Sequence, residues 1–251
     1  MKPAFCPFLY SCARFTRMGQ GRKGRFLTEG YSMRTVVFDL DGTLADTSAD
    51  LLAAANVCFR DLGHGNLLGP EDALTAFHGG RAMLRLGFSR LGIDDPALET
   101  AQYPRLLAAY DAAIAVHTRL YPGAAEAVRS LRADGFRTAI CTNKPEALAV
   151  KLVAALGISN LFDALVGADT LPTRKPDPAP YLASVMRAGG QVDRSMLIGD
   201  TETDRKTGLA VGVPVALVTF GPEGRAIARL TPEALLHHFD ALPDLARNLL
   251  G

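Results

Sequence analysis

Four short polar segments carry the side chains best equipped for chemistry. Asp39 and Asp41 stand two residues apart in "VVFDLDGTLADT" (36–47), directly after an apolar run. Thr142, Asn143 and Lys144 close a second such run in "CTNK" (141–144). Lys175 lies in "TRKPDP" (173–178), and Asp200 and Asp204 belong to "GDTETD" (199–204). Several carboxylates drawn into one place repel strongly unless a divalent cation sits among them. Oxygen donors alone point to a hard ion, and Mg²⁺ typically takes one or two carboxylates together with waters and phosphate oxygens. A hydroxyl and an ammonium suit the oxygens of a phosphoryl group. A neighbouring carboxylate can keep an aspartic acid protonated long enough to act as a general acid. The chemistry implied is Mg²⁺-assisted work on a phosphate.

For these segments to meet, the chain must bring their ends to one edge. Short apolar runs at 34–40, 136–142, 162–168, 195–200 and 213–220 read as strands, and the stretches 123–134, 145–156, 178–189 and 203–211 read as helices. Gly or Pro marks most junctions. Such alternation predicts an α/β fold with a mostly parallel sheet buried on both faces. Ligands on such sheets bind beyond the carboxyl ends of the strands, where all four polar segments fall. From about 48 to 116 only helical patterning occurs, which predicts a helical block inserted after the first strand and placed as a lid.

The chain has 251 residues, 48% of them hydrophobic, enough for a sizeable core with an insertion. Its net charge of +1 gives no ground for a nucleic-acid partner. No apolar run approaches the ~20 residues of a membrane-spanning helix, so no membrane partner is expected. The charge is uneven. Six basic residues (Lys2, Arg14, Arg17, Arg22, Lys23, Arg25) face only Glu29 in residues 1–33, a local +5 that leaves −4 for the rest. That start is read as a flexible extension or an upstream start ahead of Met33, with a targeting segment as the alternative. Cys6, Cys12, Cys58 and Cys141 fit neither a zinc nor a disulfide framework, which suits a reducing cytoplasm.

Taken in order, "FDLDGTLADT", "CTNK", "RKPDP" and "GDTETD" resemble the four motifs of the haloacid dehalogenase superfamily, over roughly 34 to 220. Within it, "YPGAAEAVRSLRADG" and "GADTLPTRKPDPAP" are similar to the phosphoglycolate phosphatase group. The resemblance implies a Rossmann-like α/β core from 34–47 and 117–251, with an α-helical cap domain at 48–116. It implies that Asp39 attacks phosphorus to form an aspartyl-phosphate, while Asp41 protonates the leaving oxygen and then activates water. Thr142 would bind the phosphoryl group, and Lys175 would offset its charge and that of Asp39. Asp39, Asp200 and the backbone carbonyl of Asp41 would hold Mg²⁺. Asp204 would order a metal-bound water or Lys175, although it also reads as a plain helix N-cap. Asn143 reads as a substrate-side or loop-bracing residue, Lys144 as solvent-facing, and Asp46 and Asp50 as caps or solvated residues at the entry to the insert.

Branches of the superfamily differ at a few positions. Asp41 argues against the dehalogenating and phosphonate-cleaving branches, and the absence of a histidine in "DTSADLLAA" argues against the mutase branch. In "FHGGRAML" (77–84), Arg81 is read as the binder of an anionic substrate group by a bidentate fork. Arg205 stands where an apolar residue is common. The expectation is an enzyme, a phosphatase acting on a small phosphorylated metabolite as a monomer or homodimer. A phosphosugar mutase, a pyrophosphatase and a non-catalytic scaffold are the alternatives.

Overall fold

Why the polar segments converge follows from how the strands order themselves. The structure is a computed structural model that describes residues 33–251. The readings of residues 1–32, with Cys6 and Cys12, lie outside the described residues.

The strands are β1 (Thr35–Phe38), β2 (Ala45–Asp46), β3 (Arg119–Leu120), β4 (Arg137–Cys141), β5 (Ala164–Val166), β6 (Ser195–Gly199), β7 (Val215–Val218) and β8 (Ala234–Leu236). The helices are α1 (Ser48–Asp61), α2 (Ala73–Phe77), α3 (Gly80–Ser89), α4 (Pro96–Ala112), α5 (Ala124–Ala133), α6 (Glu146–Ala155), α7 (Pro178–Arg187), α8 (Glu202–Val211) and α9 (Leu242–Leu250). Six strands form one parallel sheet in the order β5-β4-β1-β6-β7-β8. β1 lies between β4 and β6, with Val37 level with Ala139 on one side and Leu197 on the other. From β1 the chain builds outward first in one direction and then in the other. The crevice at the carboxyl ends of β1, β4 and β6 is therefore a topological switch point.

All four residues of β1 are buried, as expected of a central parallel strand covered on both faces. Its side chains alternate between two cores. Val36 and Phe38 pack with Ile140, Met196 and Ile198 on one face. Val37 packs with Ala139, Cys141, Leu197 and, from α7, Tyr181 and Val185 on the other. Leu40 continues into the first core and is wholly buried.

Helices α1–α4 fall between β2 and β3, which pair antiparallel through Ala45 with Leu120 and Asp46 with Arg119. The chain thus leaves and re-enters the sheet layer through one short ribbon. Within the helical layer, the Phe59 and Phe88 rings meet edge-on, with centroids 5.3 Å apart. Gly87 permits that approach, since a Cβ there would lie 2.1 Å from the Phe59 ring. Asp46, one residue ahead of the N-cap Thr47, accepts from the Ser48 N–H at 3.0 Å and from its hydroxyl at 2.6 Å, bracing the turn into α1. Asp50, expected as a cap or a solvated residue, is instead buried. Its carboxylate accepts from the backbone N–H groups of His117 and Thr118 and from the Thr118 hydroxyl, tying the first turn of α1 to the returning segment.

Several expectations change in detail. The third strand shrinks from 162–168 to Ala164–Val166; a short 3-10 turn, Ser159–Leu161, ends on Phe162, whose ring packs edge-on against Phe38. The fifth begins only after Pro214, which has no N–H to donate. β2, β3, β8 and α9 were not anticipated; β2 and β3 have two residues each and β8 three, too few to show alternation. No helix among the described residues is long and apolar enough to cross a membrane.

Candidate active site

Asp39, Thr142 and Asp200 reach the site because their strands end there, and Lys175 comes from the loop between β5 and α7. The Asp39 N–H still bonds to the Ile198 carbonyl at 2.9 Å, so sheet geometry fixes this residue one step past β1. The Thr142 N–H bonds likewise to the Val166 carbonyl at 3.0 Å after β4. A cavity of about 730 Å³ opens between this edge and the helical layer. Asp39, Asp41, Thr142, Asn143, Lys144 and Lys175 line it from the sheet side; His78, Arg81 and Tyr110 line it from the helical side. Arg174, Glu202, Glu223 and Arg229 also line it, and none of these four was anticipated.

Lys175 is the electrostatic centre. It is 3% exposed, and its Nζ lies 2.6 Å from Asp204 Oδ1 and 3.1 Å from Asp39 Oδ1. Burial works against the ammonium, but Asp204 and Asp39 outweigh it and hold its proton more firmly than in an ordinary lysine. Asp39 is pushed up to about 6, chiefly by burial, with Lys175 opposing and Asp204 and Asp41 adding to the rise. Asp200 rises well above the usual carboxylate range through burial and then through Asp204 and Asp39.

Carboxylate oxygens of Asp39, Asp200 and Asp204 lie within 4.8 Å of one another. They differ in what they have left to give. Asp204 uses both oxygens, Oδ1 for Lys175 and Oδ2 for the N–H and hydroxyl of Thr201. It is the third residue of α8 rather than its N-cap, a place Thr201 takes. Asp204 therefore serves the helix end and Lys175 together. Asp39 makes both of its contacts through Oδ1, to the Leu40 N–H and to Lys175. Asp200 Oδ1 accepts from the Thr43 hydroxyl at 2.7 Å, whereas its buried Oδ2 has no partner among the described residues. A buried, unpartnered carboxylate oxygen is costly. Beside the Asp39 carboxylate it fits a hard divalent cation. Gly42 guards that oxygen: its φ is +81°, and a Cβ there would lie 2.2 Å from Asp200 Oδ2.

The remaining sequence candidates are placed as follows. Asn143 braces the loops, its side-chain amide donating to the Lys175 carbonyl at 3.0 Å. Arg81 sits exposed in the first turn of α3, stacked 4.6 Å over the Tyr103 ring and bonded to Thr100. Lys144 does not face solvent. It is buried, with Nζ 2.9 Å from both carboxylate oxygens of Asp41 and 4.3 Å from the centre of the Tyr110 ring. Sequence had no signal for this, because its partners lie far along the chain. Arg205, unexplained before, bonds Glu233 and the Leu230 and Thr231 carbonyls, pinning α8 to the segment entering β8.

Comparison with known proteins gives this geometry a family. The sequence model of the haloacid dehalogenase-like hydrolases matches residues 33–212. The chain belongs to that family. Among curated relatives of this hydrolase is a phosphoglycolate phosphatase of Mesorhizobium japonicum, 39% identical over 86% of this chain and 96% of its own. Another, from Cereibacter sphaeroides, is 38% identical over 87% of this chain and 100% of its own. A solved structure described as a predicted phosphoglycolate phosphatase from Haemophilus somnus superposes with a TM-score of 0.74. It covers 85% of this chain and 98% of the other at 24% identity, a likeness of fold.

Proposed function

We propose that this hydrolase is a Mg²⁺-dependent phosphatase that cleaves a small phosphate monoester, 2-phosphoglycolate or a near relative, through an aspartyl-phosphate on Asp39. The observation that carries the reading is the joint placement of Asp39 at the cavity wall, Lys175 between Asp39 and Asp204, and the unpartnered Asp200 Oδ2 behind them. The names of the curated relatives support the choice of ester.

Asp39, Asp200 and the Asp41 backbone carbonyl would hold Mg²⁺, which supplies positive charge to the phosphoryl oxygens. Asp39 attacks phosphorus, splitting one difficult displacement into two easier ones. Lys175 and the Thr142 hydroxyl bind phosphoryl oxygens as their charge spreads. Asp41, at the cavity wall, gives a proton to the leaving oxygen and later takes one from the water that attacks the phosphoenzyme. Asp204 keeps Lys175 in place. Residues 48–116 act as a cap whose closure excludes bulk water and brings Arg81 within reach of an anionic group on a longer ester.

The test is a phosphate-release screen over a panel of esters, run with Mg²⁺ and with EDTA. Turnover of 2-phosphoglycolate that depends on Mg²⁺ and vanishes in Asp39→Asn is expected. No release from any ester would favour a non-catalytic scaffold instead.

A further inference from the structure

Lys144 is costly to build. Its side chain is 3% exposed, and taking an ammonium out of water is justified only by good partners. It has one carboxylate, Asp41, whose two oxygens engage it, and the face of the Tyr110 ring. An ammonium carries three donors, so one N–H is left without an oxygen acceptor among the described residues. The Tyr110 hydroxyl, also buried, has no partner among the described residues either. Both residues line the cavity. The other buried cation of the cavity, Lys175, is already taken by Asp39 and Asp204. Arg229 is paired with Glu223, and Arg81 is exposed.

We propose that Lys144 is a specificity residue: its ammonium binds a carboxylate carried on the carbon next to the leaving oxygen, selecting short α-carboxylate phosphate esters. The inference rests on the phosphatase reading above, in which Asp41 meets the leaving oxygen. A leaving oxygen in hydrogen-bond reach of Asp41, roughly 3 Å, has Lys144 as its next neighbour, because Nζ lies 2.9 Å from both Asp41 oxygens. In 2-phosphoglycolate a single methylene separates that oxygen from the carboxylate. The carboxylate therefore falls on the spare N–H of Lys144. An anion several carbons further away passes it and reaches toward Arg81 at the first turn of α3.

The experiment compares kcat/KM for 2-phosphoglycolate with that for 2-hydroxyethyl phosphate, which replaces the carboxylate with a neutral group on a similar primary alkoxide. In Lys144→Met the preference for 2-phosphoglycolate should fall about 10- to 100-fold, the scale of a lost charged hydrogen bond. Lys144→Arg should keep part of it. Any general damage to Asp41 lowers both esters alike and cancels in the ratio. An unchanged ratio, with both rates reduced, would overturn the proposal and leave Lys144 as a holder of Asp41. A co-crystal of the wild-type chain with 3-phosphonopropionate decides the matter without turnover or a folded variant. The carboxylate within hydrogen-bond distance of Lys144 Nζ supports the proposal, and a carboxylate seated elsewhere refutes it. Absence of turnover on every ester would instead strike the phosphatase reading, with the co-crystal still deciding Lys144.

Discussion

Removing the proposed nucleophile should make the metal-free protein more stable. Asp39 is raised from 3.8 to about 6 in the folded chain, chiefly by burial. A rise of about two pH units corresponds to about 3 kcal/mol between its two protonation states. The folded value lies above the unfolded one, so the folded state favours the neutral acid. The penalty is absent below the unfolded value of 3.8, grows between 3.8 and about 6, and is complete above that. Asparagine has nearly the shape of the neutral acid and keeps an oxygen for the Leu40 N–H. Asp39→Asn should therefore unfold at higher urea at pH 7.5 in EDTA, by up to about 3 kcal/mol, with the gain shrinking as pH falls toward 4. Added Mg²⁺ should stabilise the wild type by mass action and narrow the gap. A variant no more stable than wild type at pH 7.5 without metal, or a gain that does not shrink on acidification, would refute the electrostatic account.

Further outcomes follow from the same geometry. Lys175→Met leaves Asp39 and Asp204 without their shared cation, and urea unfolding at neutral pH should show a loss of about 3–5 kcal/mol along with loss of turnover. Gly42→Ala forces a positive φ on an L-residue and presses on Asp200 Oδ2, so Mg²⁺ affinity, read by thermal shift, should fall about 10- to 100-fold. Arg81→Ala should raise KM about tenfold for a phosphate ester whose second anionic group lies several carbons from the leaving oxygen and hardly change that for 2-phosphoglycolate or p-nitrophenyl phosphate; equal changes would reduce Arg81 to a surface contact.

What sequence made visible was local. Asp39 and Asp41, Thr142 and Asp200 each follow an apolar run, and strand periodicity with turn chemistry sends such residues to one sheet edge; Lys175 was legible from its motif "TRKPDP" in the loop after β5. The parallel α/β fold and the helical block between β2 and β3 came from the same signals. What stayed hidden depended on distant partners. Lys144 meets Asp41 across 103 positions and Tyr110 from α4, so the turn position before Pro145 read as solvent. Arg205 gains its meaning from Glu233 in a segment whose strand is too short to recognise. α9 is a different case. Leu242, Ala246 and Leu250 are buried at helical spacing after a run with a proline at the helix start, a pattern already present in the sequence.

The central claim is that Asp39 carries the phosphoryl group. Wild-type protein mixed with 2-phosphoglycolate and Mg²⁺, quenched in acid during turnover and digested, should yield the peptide containing Asp39 with one phosphoryl group on that carboxylate. The adduct should be absent in EDTA and in Asp39→Asn. Steady release of phosphate with no adduct on Asp39, or undiminished turnover by Asp39→Asn, would contradict the account.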